Sequence, residues 1–110
     1  MYLDKVDGMS RKREGMTPIK LTGETDRVYL GTDAMCVISD PMHGRTLQIA
    51  KSGSRSTIVW NPWDEKTARM SDLAADEWPM FVCVESGNVG ENALTVAPGA
   101  RAEMTTVVGV

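Results

Sequence analysis

The chain has 110 residues, of which 42% are hydrophobic and 25% are charged, and its formal net charge is -3. This length and composition predict one globular domain, residues 1–110, and exclude a wholly disordered chain. The acidic balance argues against a nucleic-acid or anionic-membrane surface. No apolar run approaches the roughly 18 residues of a membrane span, and no segment has the pattern of a secretion signal.

The dominant hydrophobic period in the first half of the chain is two residues, which predicts β-strands. A polar, glycine-containing loop is expected over residues 7–16, with the basic run at residues 11–13 in solvent. The turn residues at 40–44 (Asp-Pro-Met-His-Gly) predict a hairpin between the strands on either side. The strands predicted here are residues 2–6, 17–22, 27–30, 34–39, 45–51 and 56–60.

The second half of the chain predicts one short helix and three more strands. Residues 64–73 have apolar positions at loosely helical spacing, enough for one or two turns. Residues 81–85 form an apolar strand, and Pro98-Gly99-Ala100 predicts a hairpin between residues 93–97 and 102–108. Seven or eight short strands with frequent turns predict an all-β fold, an antiparallel β-sandwich or part of one.

Glu85 ends the most apolar strand of the sequence. Four consecutive apolar or thiol residues, 81–84, predict a strand buried on both faces, and alternation directs Glu85 the same way as Phe81 and Cys83. A turn over residues 86–88 would place this carboxylate at the mouth of the sheet. Two readings stay open: a strand-end glutamate that reaches solvent or an arginine, and a catalytic carboxylate.

Two other polar clusters interrupt the strand pattern. Residues 23–29 place Asp26 in a corner with a second carboxylate, an arginine and a tyrosine, which is either a self-bonded turn or a binding site. Residues 60–63 (Trp-Asn-Pro-Trp) are either a packing plug or a wall for a sugar ring. In the second case Trp63 would contact the ring and the Asn61 amide would bind its hydroxyls.

The cysteines and the histidine carry weaker signals. Cys36 and Cys83 lie in apolar strand patterns without metal-like spacing, which predicts two free buried thiols and a reducing, cytoplasmic location. His43 lies in the predicted hairpin turn and is expected on the surface. No motif predicts a metal or a cofactor.

Several blocks together resemble the hexose-6-phosphate mutarotases (glucose-6-phosphate 1-epimerases), a branch of the aldose 1-epimerase-like group. The resemblance runs from about residue 2 to residue 108. Its most specific blocks are Trp-Asn-Pro-Trp and Phe-Val-Cys-Val-Glu, in that order. The blocks that carry it are residues 23–29, 52–63, 66–73, 81–89 and 94–99.

The resemblance implies a galactose-mutarotase-like supersandwich that interconverts the α and β anomers of a hexose 6-phosphate. Glu85 falls on the family's general base, and Asp26 falls on an aspartate that binds sugar hydroxyls. The chain resembles only the C-terminal portion of the family. The general-acid histidine and the phosphate-binding arginines of the family lie upstream of the matching region, and His43 does not correspond to that histidine.

The sequence therefore leaves two hypotheses from different classes. The chain is either part of a mutarotase, with little activity alone, or a non-catalytic carbohydrate-binding or assembly module. In both cases we expect Glu85 on a concave face near Asp26 and the tryptophans of residues 60–63. We also expect a homodimer or higher oligomer, because a partial sandwich exposes strand edges and an apolar face.

Overall fold

The structure, a computed structural model, describes residues 1–15 and 17–110. It contains eight strands and one short α-helix, together with 3₁₀ helices at Pro41–His43, Trp78–Met80 and Gly90–Asn92. No helix in these residues is both long and apolar enough to cross a membrane. The strands and the helix are β1 Tyr2–Asp4, β2 Ser10–Lys12, β3 Thr25–Leu30, β4 Cys36–Asp40, β5 Arg45–Ser52, β6 Ser56–Asn61, α1 Trp63–Ala68, β7 Cys83–Gly87 and β8 Thr105–Gly109.

The first sheet has five antiparallel strands in the order β2-β1-β3-β6-β7. Its core positions are Tyr2 and Val28, both buried, which alternation directs to opposite faces. The Tyr2 ring lies 5.1 Å from the Tyr29 ring, and the Arg27 guanidinium lies 4.8 Å from the Tyr2 ring centre. The Tyr2, Tyr29 and Arg27 side chains therefore pack together on the face of the sheet opposite to Val28.

The second sheet has three antiparallel strands in the order β4-β5-β8. The hairpin predicted at residues 40–44 is confirmed: β4 and β5 pair across the Pro41–His43 turn, and Gly44 closes the turn at φ 60°. Positive φ costs glycine little, which is why a glycine suits this corner. Ile49 of β5 is buried between its two neighbouring strands.

The two sheets pack as the layers of a β-sandwich. One face of the first sheet, including Tyr29 and Val59, meets Cys36 of β4 across a cavity of about 250 Å³. The Lys51 ammonium of β5 donates to Ser54 Oγ, the Ser56 carbonyl and Thr57 Oγ1 at 2.8–3.1 Å. Thr106 Oγ1 of β8 donates to Ser86 Oγ of β7 at 2.8 Å. The predicted all-β sandwich is thus confirmed, and the opposite face of the first sheet remains outside the layer contact.

Three predictions about individual elements are wrong. Residues 17–22 and 93–97 form no strand in the described residues. The strand predicted at residues 102–108 is formed as β8, Thr105–Gly109, but it pairs with β5. The hairpin predicted across Pro98-Gly99-Ala100 is therefore not formed. Strand propensity specifies a local extended shape but not a pairing partner, and only tertiary contacts supply the partner.

The expected loop at residues 7–16 contains β2, apart from Met16, which lies outside the described residues. The basic run was expected in solvent, yet two of its residues have acidic partners. Lys12 Nζ lies 2.7 Å from Asp4 and 2.9 Å from Asp7, while Arg11 lies 2.8 Å from Glu91. The acidic partners explain how a charged segment can pair as an edge strand.

Candidate active site

The strand register brings Asp26 and Glu85 to one face of the first sheet, together with Trp60, whereas Asn61 falls on the opposite face and Trp63 lies outside the strands. Asp26 of β3 is opposite Trp60 of β6, which is opposite Cys83 of β7. Because directly opposed residues share a face, these three form a row. The next row is parallel to it and ends on Glu85. We call this surface the site face; its two rows are Asp26, Trp60 and Cys83, and Val28, Ile58 and Glu85.

Glu85 lies in the middle of β7 and is exposed. Its carboxylate takes part in none of the ion pairs formed by residues 1–15 and 17–110. An exposed carboxylate without a salt-bridge partner keeps its oxygen lone pairs available to a ligand. Glu85 thus reaches solvent, as the first of its two readings expects, although it has no arginine partner among the described residues, and the catalytic reading stays a prediction.

The prediction of a doubly buried strand ending at Glu85 is wrong in two respects. β7 runs from Cys83 to Gly87 and lies at the edge of the sheet, and residues 81–84 are only partly buried. The strand begins late because the Phe81 carbonyl accepts from the Asn61 side chain. It ends late because Gly87 pairs with Ser56, and its N–H donates to Ser54 Oγ at 3.0 Å.

The thiol of Cys83 has a pKa that is changed by its position on the site face. Burial raises the pKa of its thiol, and the negative charge of Glu85 raises that pKa further. A thiol with a raised pKa is a poor nucleophile, so Cys83 is a packing residue beside the carboxylate. Both cysteines are free as predicted, but each is only partly buried.

Asp26 is the second carboxylate of the site face. Its side chain is 15% exposed, and its Oδ2 lies 3.1 Å from the ammonium of Lys5. Asp26 and Glu85 are separated by two strand spacings and two residues, which places their Cα atoms about 12 Å apart in an untwisted sheet. The two carboxylates therefore flank a shared surface and do not contact each other.

Asn61 is placed differently from what sugar binding requires. It is 2% exposed, its amide donates to the carbonyls of Trp78 and Phe81, and its oxygen accepts from the Trp63 N–H, each at 2.8 Å. Both of its N–H donors are therefore used inside the chain. In this structure Asn61 fastens the start of α1 to the segment that leads into β7.

Trp63 lies at the start of α1, two residues after the end of β6. Its φ of 57° is unusual for a bulky residue, and the Asn61 oxygen and the Thr67 hydroxyl both bond to its backbone. Its ring lies 4.4 Å from the Trp78 ring. Together with Phe81 these rings line a second cavity of about 260 Å³, while Trp60 packs 5.8 Å from Phe81 on the site face.

The other end of the site face is closed by the segment after β7. Asn92 Oδ1 accepts from the Gly31 N–H and the Ser56 hydroxyl, and Asn88 bonds to the backbone of Arg55 and Gly53. Sequence reasoning placed Asn88 in the turn after Glu85 but missed its anchoring role, and it missed Asn92 and Lys5. The only available signals were isolated asparagines and one lysine after a short strand, which are common on surfaces.

His43 lies away from the site face, at the tip of the hairpin in the second sheet. It is exposed, and its Nδ1 lies 3.0 Å from Asp40, which also pairs with Arg45. Within residues 1–15 and 17–110 no cluster of three or more histidine, cysteine, aspartate or glutamate side chains could hold a metal ion. The chemistry available on the site face is thus that of two carboxylates, one ammonium and aromatic rings.

Comparison with known protein families identifies the family of this chain. The sequence matches the family described as "Aldose 1-epimerase" over residues 2–109. The chain belongs to the aldose 1-epimerase family. This membership confirms the resemblance inferred from the Trp-Asn-Pro-Trp and Phe-Val-Cys-Val-Glu blocks.

Three relatives carry the name "putative glucose-6-phosphate 1-epimerase". The protein from Cenchrus ciliaris is 35% identical over 98 residues, which are 89% of this chain and 30% of that protein. The one from Salmonella typhimurium is 37% identical over 62 residues, 56% of this chain and 21% of that protein. The one from Escherichia coli K12 is 33% identical over 67 residues, 61% of this chain and 23% of that protein. This chain thus spans less than a third of each relative, and no solved structure matches it significantly.

Proposed function

We propose that this chain forms part of the active site of a hexose 6-phosphate mutarotase, which interconverts the α and β anomers at C1. Family membership and the names of the relatives support a sugar epimerase. The observation that carries the proposal is the register that aligns Asp26 and Glu85 on one face, with Glu85 exposed. The gap between them suits a single sugar ring.

In this proposal Glu85 is the general base. Its carboxylate removes the proton of the C1 hydroxyl while the C1–O5 bond breaks and a proton is delivered to the ring oxygen. The open-chain aldehyde then rotates about C1–C2 and closes on either face, with the proton transfers reversed. Asp26 accepts from ring hydroxyls, and the rings of Trp60 and Trp63 form the apolar wall of the site. Asn61 is left out because its donors are already used.

Among the described residues, no histidine lies on the site face to act as the general acid. His43, the histidine of this chain, lies at the tip of the second sheet and pairs with Asp40. We therefore propose that residues 1–110 correspond to the C-terminal portion of the longer relatives, and that the acid and the phosphate-binding arginines belong to the remainder. A positioned acid contributes about 10²–10⁴-fold, so little activity is expected from the 110-residue chain alone.

The test is exchange NMR between the anomers of glucose 6-phosphate, with this chain carried in a full-length relative and also alone. Glu85→Gln keeps the shape of the side chain and removes the base, so it should lower the enzyme-dependent exchange rate at least about 100-fold. Glu103→Gln is the matched control, since Glu103 is exposed and forms only a 3.9 Å ion pair with Arg101. Unchanged exchange in Glu85→Gln would refute the proposed base.

A second candidate function, an assembly module, is favoured by the second sheet. All five residues of β8 are exposed, and Val107 and Val108 are 60% and 65% exposed. Neighbouring strand residues point to opposite faces, so both faces of β8 present apolar side chains. We propose that this strand is covered by another layer, supplied in the isolated chain by a second copy. Sugar binding without any exchange, together with a stable dimer, would favour this function over the enzyme.

The cytoplasmic location expected from two free thiols remains part of the proposal. Fractionation of cells that express the full-length protein, with detection of both thiols by alkylation before lysis, would test it. Disulfide-bonded or extracellular protein would contradict it.

A further inference from the structure

Lys5 stands next to Asp26 in the strand register. The Lys5 N–H donates to the Asp26 carbonyl at 2.8 Å, which continues the β1–β3 ladder by one residue beyond the Asp4–Arg27 pair. Lys5 therefore extends the row of Asp26, Trp60 and Cys83 on the site face. No role has been given to this lysine by the family resemblance or by the site described above.

The two partners of this ion pair differ in exposure. Asp26 Oδ2 and Lys5 Nζ are 3.1 Å apart, with the aspartate side chain 15% exposed and the lysine side chain 47% exposed. An ammonium has three N–H donors, and one directed at Asp26 leaves two. The strand order places Lys5 on the side of Asp26 away from Glu85, so the half-exposed lysine can direct these donors to a ligand that lies over Asp26.

A charged acceptor beside a charged donor matches the chemistry of two neighbouring hydroxyls. Each sugar hydroxyl can donate one hydrogen bond and accept others, so one can donate to the carboxylate while its neighbour accepts from the ammonium. The 3.1 Å spacing is similar to the separation of adjacent hydroxyl oxygens on a pyranose ring. Hydrogen bonds that involve charged groups are also the stronger ones.

The same pair is unsuited to a phosphate. A phosphate monoester carries about -1.5 to -2 charges near neutral pH, and any oxygen that reached Lys5 would lie close to the Asp26 carboxylate. The aspartate already neutralises the lysine, so the pair offers little net attraction for an anion. The chemistry thus favours the neutral ring of the sugar over its phosphate end.

We propose that Lys5 and Asp26 together bind two adjacent ring hydroxyls of the hexose, so that Lys5 determines specificity for the sugar ring and not for the phosphate. This inference rests on the proposed function, because it places the ring of that substrate on the site face. It adds Lys5 to the residues that bind the substrate. In this proposal Lys5 and Asp26 bind the sugar ring, and other residues bind the phosphate.

Lys12 provides a matched control. It forms the same kind of ion pair, 2.7 Å from Asp4, and both residues lie on the face of the sheet opposite to the site face. Lys12→Met removes an equivalent charge without touching the proposed site. Lys5→Arg keeps the charge and the donors, whereas Lys5→Met keeps only the aliphatic stem.

The experiment titrates the chain with glucose and with glucose 6-phosphate and follows amide NMR shifts at β3 and β7. Lys5→Met should weaken both ligands by the same factor, about tenfold, which is the usual value of a hydrogen bond to a charged group. Lys5→Arg should keep most of the affinity, and Lys12→Met should keep all of it. A series of monodeoxyglucoses should contain one member that wild type binds less tightly and that Lys5→Met binds as well as glucose.

Several outcomes would overturn the inference. A loss confined to glucose 6-phosphate would make Lys5 a phosphate contact, and no loss for either ligand would remove it from the site. Absence of binding of both sugars to the wild-type chain also counts against it. Should Lys5→Met not fold, as judged by amide dispersion, Lys5→Gln repeats the test.

The proposed function can fail separately. If sugars bind, if Lys5→Met weakens that binding and if no anomer exchange depends on Glu85, the proposed mutarotase activity is refuted. The proposal that Lys5 and Asp26 bind ring hydroxyls then still holds. If exchange depends on Glu85 but Lys5→Met binds both sugars as tightly as wild type, the role of Lys5 is refuted and the mutarotase proposal still holds.

Discussion

The two sheets of this chain differ in how they are covered. The first sheet and its adjoining turns bury polar groups that are fully bonded, and no buried side-chain polar atom of the described residues lacks a hydrogen-bond partner. The second sheet buries Ile49 and exposes apolar residues on β4 and β8. The buried polar residues of the first region are Thr25, Ser54, Ser56, Thr57, Asn61 and Thr67.

The first region satisfies its buried polar groups within this chain, whereas the second sheet leaves apolar side chains exposed. Around the first sheet, side chains such as Asn61 and Ser54 bond to backbone groups of distant segments, which fixes loops without an apolar core. Within residues 1–15 and 17–110, the one such anchor on β8 is the side-chain bond between Thr106 and Ser86. Substitutions should therefore affect folding in the first region and association in the second.

The largest effect on stability is expected from Asn61→Ala. The substitution leaves the carbonyls of Trp78 and Phe81 and the Trp63 N–H without their side-chain partner in a buried position. Unsatisfied buried groups cost about 1–3 kcal/mol each, so a loss of about 4 kcal/mol is expected. Urea denaturation followed by tryptophan fluorescence measures it. Asn88→Ala is the control, because its bonds are exposed; equal losses in both variants would contradict the comparison.

Gly53→Ala tests the junction between the two regions. Gly53 has a φ of 70°, and an added Cβ would collide with the backbone carbonyl of Glu103 in the segment before β8. The left-handed conformation costs about 1–2 kcal/mol for a non-glycine residue, and the collision adds to it, so a loss of at least about 2 kcal/mol is expected. Gly44→Ala has a similar φ of 60°, and its Cβ would meet none of the described atoms within 4 Å. Thermal unfolding of Gly44→Ala therefore measures the cost of the left-handed conformation alone. A loss of stability as large as that of Gly53→Ala would show that the collision contributes nothing.

The smallest effect on stability is expected on β8. Replacing Val107 and Val108 with threonine should change the free energy of unfolding by about 0.5 kcal/mol or less, because both side chains are largely exposed. The same change should weaken self-association, which sedimentation velocity at micromolar concentration would report. Val28→Thr is the matched change in the first sheet, where burial of the hydroxyl should cost about 2 kcal/mol. A wild-type chain that sediments as a monomer would remove the basis for this contrast.

Sequence patterns predicted the elements that depend only on residues close together in the chain. Turn chemistry at residues 40–44 predicted the β4–β5 hairpin. A short helix was predicted within residues 64–73, whereas α1 spans Trp63–Ala68, so the pattern located a helix but not its bounds. The strand at residues 93–97 failed despite the same kind of evidence, because its apolar residues Leu94 and Val96 have no neighbouring strand among the described residues. A hydrophobic period of two indicates an extended backbone, whereas the pairing of strands depends on tertiary contacts.

The candidate site divides in the same way. Asp26 and Glu85 were found from their unusual places in strand patterns and from the family resemblance, and the register then aligned them on one face. Asn61 was predicted as a sugar ligand because its motif is aromatic and polar, yet in the structure its bonds are all internal. Lys5 was not predicted, since a lysine after a three-residue strand resembles any surface lysine.

The all-β class, the hairpin turn, a short helix and the family could be predicted from the residues alone, because each depends on residues close together in the chain or on motifs that can be recognised directly. Contacts between distant segments were needed to show that β7 is an edge strand, that Asn61 links α1 to the segment before β7 and that Lys5 lies beside Asp26. The physical reason is that strand order and register are set by contacts between residues far apart in sequence. A shift of one residue in that register would direct each carboxylate to the other face of the sheet.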